Sequence, residues 1–320
     1  MRIHRAFPAA LALVWLLSSG IGSLVADSSA TDAKPLMGRW DLTLKAPDKE
    51  HPSWLELSTN DGQLKAQMVG RWGNARPLPR VELKEGQLTF VSPKEEEGAK
   101  EDMVFQGKLS GKELIGTVNG PDGATWHWTG TKAPELKSNE NPKWGKPIQL
   151  FNGKDLTGWT MSDPKATAAW TVKDGTLISP GRGAELISDA KFKDFKLHLE
   201  FNRGENSNSG VYLRGRYEVQ IETDSIEEPP SHHTGGVYGF LAPTPELPRT
   251  AGDWQTYDIT LIGRTITVVQ NGQTIINQQE VPGITGGALD SHEELPGPIY
   301  LQGSESGHVI YRNIVITPAK

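Results

Sequence analysis

Between Asn208 and Asp224 the chain reads Asn-Ser-Gly-Val-Tyr-Leu-Arg-Gly-Arg-Tyr-Glu-Val-Gln-Ile-Glu-Thr-Asp, and this alternation constrains the fold more than any other stretch. Successive side chains of a strand point to opposite faces, so period-two patterning marks a half-buried strand. A turn at Gly215-Arg216 predicts a hairpin. Val211, Leu213, Tyr217, Val219 and Ile221 then form its apolar face, and Tyr212, Arg214, Glu218, Gln220 and Glu222 its polar one. Same-face neighbours lie about 6.6 Å apart along a strand, which brings Glu218 and Glu222 within reach of one ligand. A solvated face with Arg–Glu pairs, each worth about 0–1 kcal/mol, is the plainer alternative.

Similar alternation recurs along the 320 residues, punctuated by 35 Gly and 22 Pro and without long helix-period runs. The expected class is all-β. Met1 to Ala26 has a basic start (Arg2, Arg5), an apolar stretch from Ala9 to Leu17 and small residues near Ala26, the layout of a cleaved secretory signal. Ser18, Ser19, Gly20, Gly22 and Ser23 interrupt the apolar run short of the ~20 residues of a spanning helix. The expectation is export, to the periplasm or beyond the cell, with no membrane span after cleavage. There is no cysteine, so neither disulfides nor thiolate chemistry contribute. Removing Arg2 and Arg5 from 33 basic residues leaves 31 against 39 acidic, a formal charge of −8, which argues against nucleic acid as a partner.

Residues 36–130 carry about eight short strands with turn signals at Asp61-Gly62 and Glu85-Gly86, enough for a small β-barrel-like domain. Trp54, Trp72, Trp126 and Trp128 in it read as packing residues rather than a sugar-stacking surface. Residues 131–148 hold Pro134, Pro142 and Pro147 among polar residues and read as a linker. Residues 149–320 form the second domain. In it Lys196 to Asn202 places Leu197, Leu199 and Phe201 on a core face, with His198, Glu200 and Asn202 extending the polar surface around Glu218. Ser225 to Asp253 is a long Pro/Gly/His loop, a wall or lid over that surface. The expected architecture is a β-sandwich of jelly-roll type.

Five ordered segments also resemble a known family. They are Leu150-Phe151-Asn152-Gly153-Lys154-Asp155-Leu156-Thr157-Gly158-Trp159, Asp194 to Phe201, Asn208-Ser209-Gly210-Val211-Tyr212, Tyr217-Glu218-Val219-Gln220-Ile221 and Tyr311-Arg312-Asn313-Ile314. Together, over about residues 148–320, they resemble the 3-keto-disaccharide hydrolase domain family, also known as domain of unknown function 1080. The resemblance implies a jelly roll similar to concanavalin A-like lectins and glucanases, acting on glycosides whose sugar carries a ketone at C3. Such a ketone acidifies the C2 hydrogen, so a base can remove it and the enolate can expel the C1 substituent. In that reading Glu218 is the base, Arg214 stabilises the enolate oxygen, and Gln220 and Tyr212 orient the substrate. Glu222 or Asp224 protonates the leaving oxygen or holds a metal ion. Glu200, Tyr238, Trp254 and Gln302 complete the substrate-binding set. The chain departs from the family at Leu301 to Gly307, where relatives carry a histidine; here His308 lies one residue past the glycine.

Two other classes use the same surface. A non-catalytic glycan-binding module would stack sugar on Tyr212, Tyr238 and Trp254. A family 16-like glycosidase would use Glu218 and Glu222, whose Glu-x-x-x-Glu spacing lacks only the central acid. No cofactor is expected. His232 and His233 are adjacent and do not share one ion in regular structure, while calcium on Asp and Glu oxygens stays open. The expected partner is an oligosaccharide or a 3-keto-glycoside; the oligomeric state is not legible.

Overall fold

The computed structural model describes residues 33–320 except 71–72, 137–140, 167–169, 180, 182, 223–227, 248–249 and 304–306. The expected signal, 1–26, lies outside them, as do Trp72 and Asp224. The regular structure of the described chain is almost wholly strand.

The first nine are β1 (Gly38–Lys45), β2 (Glu50–Asn60), β3 (Gln63–Val69), β4 (Ala75–Pro77), β5 (Arg80–Lys84), β6 (Gln87–Ser92), β7 (Met103–Ser110), β8 (Glu113–Asn119) and β9 (Thr125–Lys132). They form one antiparallel sheet in the order β4-β3-β2-β1-β9-β8-β7-β6-β5, which curls until β5 packs near β3. The curl encloses Trp40, Leu42, Leu55, Leu88, Phe90, Phe105, Leu114 and Trp128. Alternation drives it: each strand gives its apolar face to the inside.

Thirteen strands follow: β10 (Ile148–Gln149), β11 (Trp159–Met161), β12 (Thr171–Lys173), β13 (Thr176–Ile178), β14 (Leu186–Phe192), β15 (Phe195–Arg203), β16 (Asn208–Leu213), β17 (Tyr217–Glu222), β18 (Trp254–Ile262), β19 (Thr265–Gln270), β20 (Gln273–Glu280), β21 (Gly297–Leu301) and β22 (Val309–Pro318). They make an eight-stranded sheet, β12-β13-β22-β15-β18-β19-β20 with β10 against β22, and a five-stranded sheet, β11-β14-β21-β16-β17. The inner faces share one core, in which Leu197, Leu199, Phe201, Tyr257 and Ile259 pack with Val211, Leu213, Val219 and Ile221. This is the expected all-β sandwich of jelly-roll type. Asp174-Gly175 and Asn271-Gly272 have positive φ at both residues, the primed turn that matches strand twist in a hairpin.

The free edge of β17 is covered. Val237 bridges Val219, Gly235 N–H donates to Gln220 O at 3.0 Å and Tyr238 N–H to Glu218 O at 3.1 Å. The long loop after β17 thus works as an extra strand, which removes an exposed edge and sets Tyr238 beside Glu218.

The barrel docks on the sandwich through buried contacts. Trp54 Nε1 donates to Ile284 O at 3.0 Å, Ser291 Oγ to Leu42 O at 2.8 Å, and Asn74 Oδ1 meets His232 Nε2 at 2.7 Å. At the centre lies Glu293, which is fully buried. Its carboxylate accepts from Arg39 of β1, from Arg264 at 2.9 and 3.0 Å, and from the Tyr217 hydroxyl at 2.6 Å. Burial alone would push the Glu293 pKa up; hydrogen bonds from Arg264 and the charges of Arg39 and Arg264 hold it below the ordinary value. Asp41 beside it is affected oppositely: burial, then repulsion by Glu293, raises its pKa to about 7 despite Arg39.

Two outcomes follow. Glu293→Ala leaves two buried arginines without their acceptor and lowers unfolding free energy by about 3–5 kcal/mol in denaturant titration. Asp41 binds its proton more tightly folded than unfolded, so its contribution is fully present below pH 3.8 and is lost as pH rises to about 7. Asp41→Asn therefore flattens stability against pH across that window, as measured by chemical unfolding at stepped pH.

Candidate active-site cleft between the two units

A cleft of about 730 Å³ opens between the outer face of the five-stranded sheet and the barrel, within the ~300–1,000 Å³ range of ligand sites. The sandwich wall carries Tyr212, Glu218, Gln220, Asn208, Tyr300 and Gln302, and the edge loop adds Tyr238. The barrel wall is built by the start of β2, the end of β3, Glu97 and Trp126.

Glu218 is 3 % exposed and its Oε2 accepts from the Tyr212 hydroxyl at 2.8 Å. The pairing is a matter of register, since Tyr212 and Glu218 are directly opposite in the β16–β17 ladder. Cross-strand partners sit about 4.5–5.5 Å apart at Cβ. Tyr212 Oη also lies 2.9 Å from Gly286 O, and its ring stacks on Tyr300 at 4.2 Å between centroids. Burial, then the charge of Glu218, pushes the Tyr212 pKa well above the phenol range. Tyr212 therefore stays a protonated donor.

Two glycines make room for this pair. A Cβ on Gly210 would overlap the Glu218 carboxylate, and one on Gly287, at φ +72°, the Tyr212 hydroxyl. Gly210 stands opposite Gln220 in the ladder, so the Glu218 side chain lies across β16 in the space a side chain would fill.

The structure brings Tyr212, Glu218, Gln220, Tyr238 and Gln302 together around the cleft. Gln302 Oε1 is buried and accepts no hydrogen bond. Glu222 sits just behind the wall, where its Oε2 accepts from Asn208 Nδ2 at 2.8 Å and Gln220 Nε2 at 3.3 Å. It braces the two amides rather than facing the cleft.

Three expected residues lie elsewhere. Arg214 falls in the turn after Leu213 with φ +55°, so it leaves the strand's alternation. Its guanidinium turns inward, donating to Gly263 O at 2.6 Å, Tyr217 Oη at 2.9 Å and Glu293 O at 3.3 Å. It is wholly buried and supports the interface with the barrel. Glu200 lies on β15 of the other sheet, on its outer side, bonded to Arg312 at 2.7 Å and to Asn313. The Asn313 hydrogen bond, with Arg312, draws its pKa below the ordinary value. Trp254, also in that sheet, is covered by Arg312 at 3.8 Å. Two sheets share one core, so polar faces of β15 and β16 point out in opposite directions. Asp224 lies outside the described residues.

Tyr300, Asn208 and the barrel wall were not anticipated. Tyr300 is two residues before Gln302 on the same strand face, a signal period two could have supplied; the barrel wall has no local signal. His308, just before β22, has its ring near Gly204, away from the residues that line the cleft. Among the described residues, no three His, Cys, Asp or Glu side chains converge to hold a metal ion, and no helix is long and apolar enough to cross a membrane.

A jelly-roll sandwich with a buried carboxylate–tyrosine pair in a cleft on one sheet defines the class. A family model described as a 3-keto-alpha-glucoside-1,2-lyase-like domain matches residues 146–317, and the chain belongs to that family. A curated relative, 3-keto-disaccharide hydrolase of Bacteroides thetaiotaomicron, is 21% identical over 165 residues, 40% of this chain and 57% of the relative. The match thus spans little more than half the length of that relative. A solved structure of a putative glycosyl hydrolase from Parabacteroides distasonis is 32% identical, covering 53% of this chain and 82% of its own, with TM-score 0.46. A second from the same organism is 18% identical, covering 54% and 94%, with TM-score 0.44.

Gly210→Ala displaces the Glu218 carboxylate without removing it. A misplacement of about 1 Å costs on the order of 100-fold in rate, so the variant loses at least tenfold in kcat, while overpacking lowers its unfolding free energy by about 1–3 kcal/mol, as checked by steady-state kinetics on the folded fraction and thermal melting.

Proposed function

We propose that the chain cleaves glycosides whose sugar is oxidised to a ketone at C3, with Glu218 as the base. One observation carries the reading: a buried carboxylate, fixed by a permanently protonated tyrosine, lines a cleft large enough for a disaccharide. Family membership supports the same chemistry.

Glu218 takes the C2 proton, and the C2–H electron pair moves into the C2–C3 bond as charge passes to the C3 oxygen. Once Glu218 holds that proton, Tyr212 no longer answers a carboxylate and can turn its hydroxyl to the enolate oxygen. The enolate then reforms the ketone and expels the C1 substituent, whose oxygen takes a proton from water. The hydroxide so formed adds to C1 of the C1–C2 double bond and Glu218 returns its proton to C2, completing net hydrolysis. Gln302, with an acceptor oxygen left unbonded, and the amides of Asn208 and Gln220, braced by Glu222, hold sugar hydroxyls. We also infer export on the signal-like residues 1–26.

A glycan-binding role is the second reading, favoured by one fact: the expected cation, Arg214, is turned away from the cleft. The two separate in one assay. The mature chain and Glu218→Gln are mixed with the 3-keto form of an α-linked glucose disaccharide and with its unoxidised parent, and released sugar is followed. Release from the keto form alone, reduced about 10²–10⁴-fold in Glu218→Gln, is the expected result. Full activity in the variant would sink the assignment, and binding of both sugars without release would make the chain a binder.

A further inference from the structure

The family match ends at its amino-terminal side at residue 146, yet nearly half of the cleft's wall belongs to the barrel of residues 38–132. We propose that this barrel wall is a second sugar-binding subsite, in which His51, backed by Trp126, forms the platform for the leaving-group sugar of a disaccharide substrate.

The geometry points to it in three ways. The two rings are stacked, 5.4 Å between centroids and 10° between planes, a flat double layer of the kind that packs the C–H face of a pyranose. Trp126 is 6 % exposed and its Nε1 donates to Asp122 at 3.0 Å, so it is a fixed backing. The His51 side chain keeps a fifth of its surface exposed and lines the cleft. Glu97, buried on the same wall, accepts from Ser92 Oγ at 2.6 Å and so holds a carboxylate in place for sugar hydroxyls. Apolar surface with a few placed polar groups is what ligand sites present.

The subsite's occupant follows from where the chemistry sits. Glu218 and Tyr212 lie on the sandwich wall, so the oxidised ring rests there and its C1 substituent projects toward the barrel. The inference rests on the proposed chemistry for that direction alone. Contacts through Glu293, Trp54 and Asn74 fix the barrel against the sandwich, so the platform keeps a set distance from the base. The sheet face that carries Glu218 would otherwise meet only one ring; the barrel makes the cleft selective for two.

The test compares kcat/KM for the 3-keto form of an α-linked glucose disaccharide with that for the 3-keto form of methyl α-glucoside, in wild type, His51→Ala and His51→Phe. The preference for the disaccharide falls about tenfold in His51→Ala, through KM, and returns in His51→Phe, which keeps a flat ring. An unchanged preference in His51→Ala, or equal losses on both substrates, overturns the subsite. If wild type turns over neither substrate, the proposed chemistry fails and calorimetry with the unoxidised pair decides the subsite. Tighter binding of the disaccharide than of methyl α-glucoside, lost in His51→Ala, supports it; equal affinity, or no binding of either, overturns it.

Discussion

A carboxylate taken out of water costs several kcal/mol unless charges and hydrogen bonds replace its hydration, and Glu293 has both. Arg39 reaches it from the barrel, Arg264 and Tyr217 from the sandwich. Each of these groups is buried or nearly so; Arg264 and Tyr217 bind Glu293 within the sandwich, while the Arg39 contact forms only when the barrel is seated. Arg214 extends the same cluster through Tyr217 and Gly263. The contact is specific in a way that the surrounding apolar patch of Trp54, Val69, Ile284 and Ala288 is not. Apolar surfaces can slide; a carboxylate between two guanidinium groups has one geometry.

That docking turns a sheet face into a cleft. The β16–β17 ladder sets Tyr212 against Glu218, and Tyr217 on the opposite side of β17 reaches Glu293. One hairpin therefore carries the candidate base on one face and the anchor of the barrel contact on the other. Glu218 and Tyr217 are neighbours on one strand, which ties the position of the chemistry to that of the docking contact. Gly210 and Gly287 complete the arrangement by leaving the space that the carboxylate and the phenol occupy.

Much of this was legible in the residues. Period two marked the faces of β15 to β17, and Leu197, Leu199, Val211 and Val219 lie in the core as alternation required. Turn residues located the hairpins, and five ordered motifs pointed to the family. Errors came where alternation stops or where sheets part. Arg214 has a left-handed backbone, so counting by two through the turn assigned it to the wrong side. Glu200 and Trp254 obey period two, but it gives only the face of a strand, never the sheet to which the strand belongs.

Sequence alone determined the strand-rich class and the inward and outward sides of the strands, because these depend on backbone periodicity over a few residues. The register that sets Tyr212 opposite Glu218 came from the structure, where Arg214 joins the turn instead of pairing with Tyr217. Tertiary structure alone decided that Arg39 meets Glu293 across 254 residues of chain and that the barrel closes the cleft. It also decided that Glu200 and Arg214 stand apart from the base. Those outcomes come from long-range burial of charge, where desolvation is offset only by partners that local pattern does not reveal.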